Sequence, residues 1–198
     1  MTIDTNDMLN SILSSLSRID YIKPGDIPNI PLYMDQVTTF MDAQLSASKR
    51  YESDKILTKT MINNYAKNDL LPPPTKKKYS KEHLLLLVFI YYFKNLLTIT
   101  DIQALLKPIT DKYFQDSDSL TLEDIYNEVF RLEKSQIDVL KEDISNRYHL
   151  SRETFSDAPE EDQEFLKTFS FICLLSFDVY VKKQIIEKLI DQMNPKKK

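Results

Sequence analysis

The chain holds one glycine, Gly25, among 198 residues, and that scarcity constrains the fold more than any other feature. Glycine reaches positive φ at no steric cost, so two-residue hairpins, bulges and close backbone approaches lean on it. A chain almost without it is predicted to fold as helices joined by polar or proline-containing loops. The same scarcity removes two functional classes. Walker-type phosphate loops and dinucleotide-binding turns both need several glycines in a short span.

Other chemistry is thinly represented. Cys173 is the single cysteine, so no internal disulfide forms and no oxidising compartment is needed. It lies in the apolar run 169–177 and is predicted to be a buried small hydrophobe. The two histidines, His83 and His149, lie far apart in sequence and do not give the spacing of a zinc site. His83 is predicted to sit on a helix surface. The acids Asp157, Glu160, Glu161, Asp162 and Glu164 read as solvated charges around a helix N-terminus. No nucleophile–base pair is marked. The expectation is a protein without cofactor, metal or catalytic step. Residues 1–8 carry Asp4 and Asp7 and no basic residue, unlike a secretory signal. The longest apolar run, 84–93, falls short of the ~20 residues that cross a bilayer. A cytoplasmic protein with no membrane partner is expected.

Charge is unevenly spread. Residues 1–54 are net −4, residues 55–108 carry 9 basic against 3 acidic side chains for +6, and residues 109–198 are net −6. An acidic chain with one basic middle segment points to a local electrostatic footprint there.

Apolar spacing predicts a helix over about 5–19, from Met8, Leu9, Ile12, Leu13, Leu16 and Ile19. Lys23 to Pro28 breaks it. Pro31 opens a second helix whose inner face is Tyr33, Val37, Phe40, Met41 and Leu45. A loop over 46–54 follows. Thr58 caps a short helix to about 66. Leu57, Met61, Ile62 and Tyr65 face inward there, with Lys59, Thr60, Asn63 and Lys67 outward. Pro72-Pro73-Pro74 forbids helix and Lys76-Lys77-Lys78 sits on the loop behind it. Ser80 caps a helix whose stretch 84–93 is apolar all round and therefore buried on most sides. Thr98 and Asp101 start another, which is expected to stop before Pro108. Residues 121–148 are one helix with a stutter, or two with a break near Ser135. Pro159 opens a last helix through 193, with 165–181 read as core, and the tail from Asn194 is expected to fray.

The constellation above background spans residues 58–106. A short helix with a polar face is followed by a proline turn, a lysine run, Tyr79 and a buried helix. Lysines beside a groove-bound helix neutralise flanking phosphates. Asn63 and Asn64 suit adenine, and Lys59 suits guanine or phosphate. The competing reading is an exposed helix beside a solvated lysine loop.

The stretch from Thr58 to Pro72 resembles the second helix and exit of the mercury-resistance-regulator (MerR) class of winged helix-turn-helix proteins. Lys76-Lys77-Lys78-Tyr79 is similar to that class's basic wing, 84–93 to its apolar helix, and Ile99 to Leu106 to the short helix after it. Residues 30–37 and 57–80 also resemble an uncharacterised bacterial family of unknown function. Asn64 stands where the MerR class has arginine, and Asp69 where it has glycine. The resemblance implies an all-α fold with a small wing: an N-terminal helix and linker (1–28), a winged helix-turn-helix (29–108) and a C-terminal helical region (109–198). It implies a transcriptional regulator that contacts double-stranded DNA through Lys59, Thr60, Asn63, Asn64, Tyr65, Lys67, Lys76, Lys77 and Lys78, with Tyr65 either on phosphate or in the core. Residues 121–148 would pair two subunits, or pack within the chain. A small-molecule effector is left unidentified. The alternative is a non-enzymatic protein–protein adaptor built on a degenerate winged helix.

Overall fold

The computed structural model describes residues 5–16, 22–115 and 120–193. Expectations for 17–19 and for the tail beyond 193 lie outside these. Helices dominate: α1 (Thr5–Leu16), α2 (Met34–Gln44), α3 (Lys59–Lys67), α4 (Lys81–Phe93), α5 (Ile99–Tyr113), α6 (Leu122–Ser135), α7 (Ile137–Arg152) and α8 (Glu160–Met193). Two short strands, β1 (Leu32–Tyr33) and β2 (Lys78–Tyr79), pair antiparallel, Leu32 opposite Tyr79 and Tyr33 opposite Lys78. The chain falls into two compact units, one built from α1 with residues 132–188, the other from residues 22–131 with 189–193.

The larger unit is organised around α4. Leu84 to Ile90 are all buried, as expected of a helix with no polar face. From α2 come Val37, Met41 and Leu45, from α3 Ile62 and Tyr65, from α5 Ile102 and Leu106, and from α6 Leu122, Tyr126 and Phe130, all buried. Phe89 of α4 meets Tyr126 edge-on (centroids 5.5 Å apart) and stacks on Phe130 (5.7 Å). Each such side chain, taken out of water, stabilises the fold by roughly 1.5–3 kcal/mol.

The helix ends follow local chemistry. Thr58 Oγ1 accepts from the Met61 N–H at 3.2 Å. Thr98 and Asp101 exchange bonds at the start of α5, and Thr121 and Asp124 do the same at the start of α6. Thr58 is a simple cap, and the other two pairs close capping boxes that satisfy otherwise orphaned N–H groups. The five-residue gap after Leu132 is a break, with α6 ending at Ser135 and α7 starting at Ile137.

Two boundaries differ from expectation. Pro31 does not open α2: Leu32 and Tyr33 form β1 and the helix starts at Met34, so Tyr33 caps the helix on the strand side and is exposed, not part of its inner face. α5 runs through Pro108 to Tyr113. Pro108 lies on the exposed side, where a lost helical donor disturbs the packed face least.

The smaller unit has a modest core. Leu9, Tyr148 and Phe171 are buried together, with Leu13, Ile144 and Leu175 against them. Ion pairs hold α7 to α8: Arg147 reaches Asp178 at 3.4 Å, and Arg152 makes a two-pronged pair with Glu164. Residues 165–181 are not the core that their composition suggests. Phe165, Phe169, Ile172, Phe177 and Tyr180 are exposed, and so is Cys173, against the expectation of a buried thiol. The reason is length. A helix of 34 residues extends about 50 Å, while α1 and α7, with 12 and 16 residues, cover one side of part of it.

No helix among the described residues is long and apolar enough to cross a membrane.

Candidate nucleic-acid interface

α3 divides cleanly by face. Ile62 and Tyr65 are buried, while Lys59, Thr60, Asn63, Asn64 and Lys67 are exposed. At about 100° per residue, those five side chains fall within an arc of about 140°. Tyr65 is therefore a core residue, and burial pushes its hydroxyl pKa up. Lys59 pairs with the exposed Asp35 of α2. The Oδ1 of Asn64 accepts from Asn68 Nδ2 at 3.1 Å, so its acceptor is already engaged within the chain. Asn63 has no such bond among the described contacts.

The end of α3 solves a problem created by the missing glycine. Asp69 has φ 54°, the left-handed conformation usual for glycine after a helix. Its N–H reaches the Ala66 carbonyl at 3.3 Å and the Leu70 N–H reaches the Tyr65 carbonyl at 2.9 Å. This is the paired bonding of a Schellman motif, with buried Leu70 against the last turn.

A tight hairpin follows, which glycine scarcity argued against. Thr75 bridges to Lys78, the Lys78 N–H meeting the Thr75 carbonyl at 3.0 Å. Between them Lys76 and Lys77 have φ 52° and 64°. Positive φ at both central positions marks a type I′ turn, normally Asn-Gly or Asp-Gly. Both lysines are exposed. Lys78 instead lies with its ammonium 5.0 Å from the centre of the Tyr33 ring, a cation–π contact across the β1–β2 ladder.

One buried and one half-buried polar side chain brace this region. His83 is 3% exposed, against the expectation of a surface residue. It occupies the third position of α4, where its Nδ1 accepts from the Ser80 N–H at 3.0 Å. Its ring sits between Tyr79 (5.4 Å) and Phe114 (4.8 Å), edge to face with both. Burial lowers its pKa, and the Pro73 and Pro72 carbonyls partly oppose that. Lys94, at the end of α4, donates to the Ile56 carbonyl at 2.8 Å and lies 4.7 Å from the Tyr91 ring. It tethers the loop leading into α3, and burial lowers its pKa.

Both α3 and β2 pack on α2, so the polar helix face and the lysine hairpin share one support. Sequence reasoning missed Asp35 and Tyr33 as partners of Lys59 and Lys78. Strands of two residues carry no readable alternation, so the register that joins Tyr33 to Lys78 leaves no sequence signal. No group of three or more His, Cys, Asp or Glu among the described residues is placed to hold a metal ion.

The region just described coincides with a recognised family. Residues 22–129 match a Domain of unknown function (DUF1836), more than half of the chain, and the protein belongs to that family. No curated protein and no solved structure matched the chain.

Proposed function

We propose that the protein is a DNA-binding transcriptional regulator in which α2 and α3 act as a helix-turn-helix and the Thr75–Lys78 hairpin acts as its wing. The split of α3 carries this reading: one face is fully packed, and the other offers Lys59, Thr60, Asn63 and Lys67 to solvent. A helix laid in the major groove meets base edges through such a face. Asn63 supplies the donor–acceptor pair that matches adenine, while Lys59 and Lys67 reach guanine or phosphate. Lys76 and Lys77 at the hairpin tip neutralise flanking phosphates. On this reading α4 would follow the wing as the apolar helix that the MerR-like resemblance expects. The turn adds a further argument. Left-handed backbone disfavours a lysine by roughly 1–2 kcal/mol, and a chain that keeps two lysines there retains charge at the expense of strain.

One observation favours the adaptor reading. Asp35 sits on Lys59 and Asp69 follows α3 directly. Acids within a basic surface suit a protein partner better than a polyanion.

The test is binding to genomic DNA fragments over a salt series, for the parent and for Lys76→Ala/Lys77→Ala. Tight parent binding to a few fragments is expected. The slope of log affinity against log salt should fall by about 1 for each lysine removed. Absence of selective binding, or an unchanged slope, would leave the adaptor reading in place.

A further inference from the structure

We propose that two copies of this chain pair through the exposed face of α8, antiparallel and centred on Ile172. The proposal stands apart from the DNA reading and moves pairing to α8 from residues 121–148.

Phe165, Phe169, Ile172, Ser176 and Val179 succeed one another by 4, 3, 4 and 3 residues, the spacing of a coiled-coil seam. Phe165 is 70% exposed, Phe169 51% and Ile172 54%. The packed residues, Phe171 and Leu175, lie about a quarter turn away around the helix. Val179 and Tyr180, 51% and 59% exposed, continue the same face, a contiguous apolar patch of the kind that marks a protein–protein contact. The face is convex, unlike the concave lining that takes a small ligand. It lacks the basic flank of a helix that lies on lipid.

Charge selects the partner and its direction. Between 165 and 181 the charged side chains are Lys167 and Asp178, and Asp178 is tied back to Arg147 on α7. Nothing of like sign therefore opposes self-association along the seam. Acids open the helix at Glu160, Glu161 and Asp162, while Lys182, which already pairs with Asp178 at 2.7 Å, and Lys183, 3.7 Å from Glu187, follow the seam and would exchange these intrahelical partners for the second copy's acids. An antiparallel pair with its two-fold axis at Ile172 sets Phe165 against the second copy's Val179, Glu161 against its Lys183 and Asp162 against its Lys182. A parallel pair would bring acid to acid and lysine to lysine.

The test is sedimentation velocity on the full chain over a concentration series. A species of twice the 23.3 kDa chain mass is expected. Ile172→Glu, at an exposed position, should give a monomer with unchanged helical circular dichroism. Lys183→Glu should weaken the dimer at least tenfold, and Glu161→Lys/Lys183→Glu should restore it. A monomer at every concentration, or a dimer indifferent to Ile172→Glu, overturns the proposal. A double charge variant as weak as Lys183→Glu alone overturns the antiparallel register. Because no DNA enters the experiment, its failure leaves the DNA reading standing.

Discussion

The backbone N–H of Ser80 donates to Nδ1 of His83 at 3.0 Å, and this bond fixes the ring's tautomer. With Nδ1 accepting, the proton of the neutral ring sits on Nε2, which is buried and makes no hydrogen bond among the described residues. A second proton would have to enter at Nδ1 and break the cap. Burial of the ring holds the folded pKa below the ordinary value of about 6.5. The unfolded chain then binds more protons than the folded one as pH falls below about 6.5, so stability drops with decreasing pH and levels off below the folded pKa. His83→Gln keeps an acceptor for the cap and removes the titration. Urea midpoints measured between pH 7.5 and 5 should fall for the parent and stay flatter for the variant. Parallel curves would remove His83 as the source.

Tyr126 joins distant parts of the larger unit. Its hydroxyl donates to the Ile22 carbonyl at 2.7 Å, in a buried bond across 104 residues of sequence. Tyr126→Phe removes the donor and leaves that carbonyl without it, which costs about 1–3 kcal/mol when the group cannot reach water. Equilibrium unfolding should show a lower midpoint with an unchanged denaturant slope. A loss below the measurement error would mean that water replaces the hydroxyl.

The pair Lys59–Asp35 is exposed on both sides, at 60% and 74% of the side chains. Such pairs contribute at most about 1 kcal/mol. Asp35→Asn should therefore barely change the unfolding midpoint, yet free Lys59 for a phosphate. On the DNA reading, affinity rises and the salt slope steepens by up to about 1. Weaker binding in the variant would argue that Asp35 itself meets the partner.

Most of this fold is legible in the sequence because caps and apolar periodicity act locally. Thr58, Thr98 and Thr121 each mark a helix start, and the uninterrupted run after His83 marks the buried α4. What lies outside local chemistry is less readable. Composition makes 165–181 look like core, but burial depends on how much neighbouring helix is present to cover it. His83 looks like a surface residue until Tyr79 and Phe114, distant in sequence, close around it. At the candidate interface the outward residues of α3 follow from period alone. The pairing of Lys59 with Asp35, and of Lys78 with Tyr33, depends on tertiary register and leaves no local trace.

Left-handed backbone falls on Asp69, Lys76, Lys77 and Phe155, and not on Gly25. Asp69→Gly should relieve strain in the Schellman turn without touching a packed side chain. A gain of up to about 1 kcal/mol is expected, reduced by glycine's greater freedom in the unfolded chain. Calorimetry would register it as a rise of a few degrees in Tm. A lower Tm would show that the Asp69 side chain holds the turn by a contact stronger than the strain.

The hairpin tip sets stability against binding most directly. Lys76→Asn/Lys77→Gly installs the pair that a type I′ turn prefers. It keeps the Thr75–Lys78 bridge and the β1–β2 register. Removing two left-handed lysines should stabilise the larger unit by about 1–2 kcal/mol, visible as a higher unfolding midpoint. The same change deletes two charges from the proposed wing, so DNA affinity should fall and its salt slope lose about 2. Lys76→Ala/Lys77→Ala separates the causes. It loses the same charges but leaves two residues with a Cβ in left-handed backbone, so it should match the binding loss without the full gain in stability. If the Asn-Gly variant gains stability and still binds DNA as the parent does, the strain in this turn is unrelated to nucleic acid, and the lysines serve another partner.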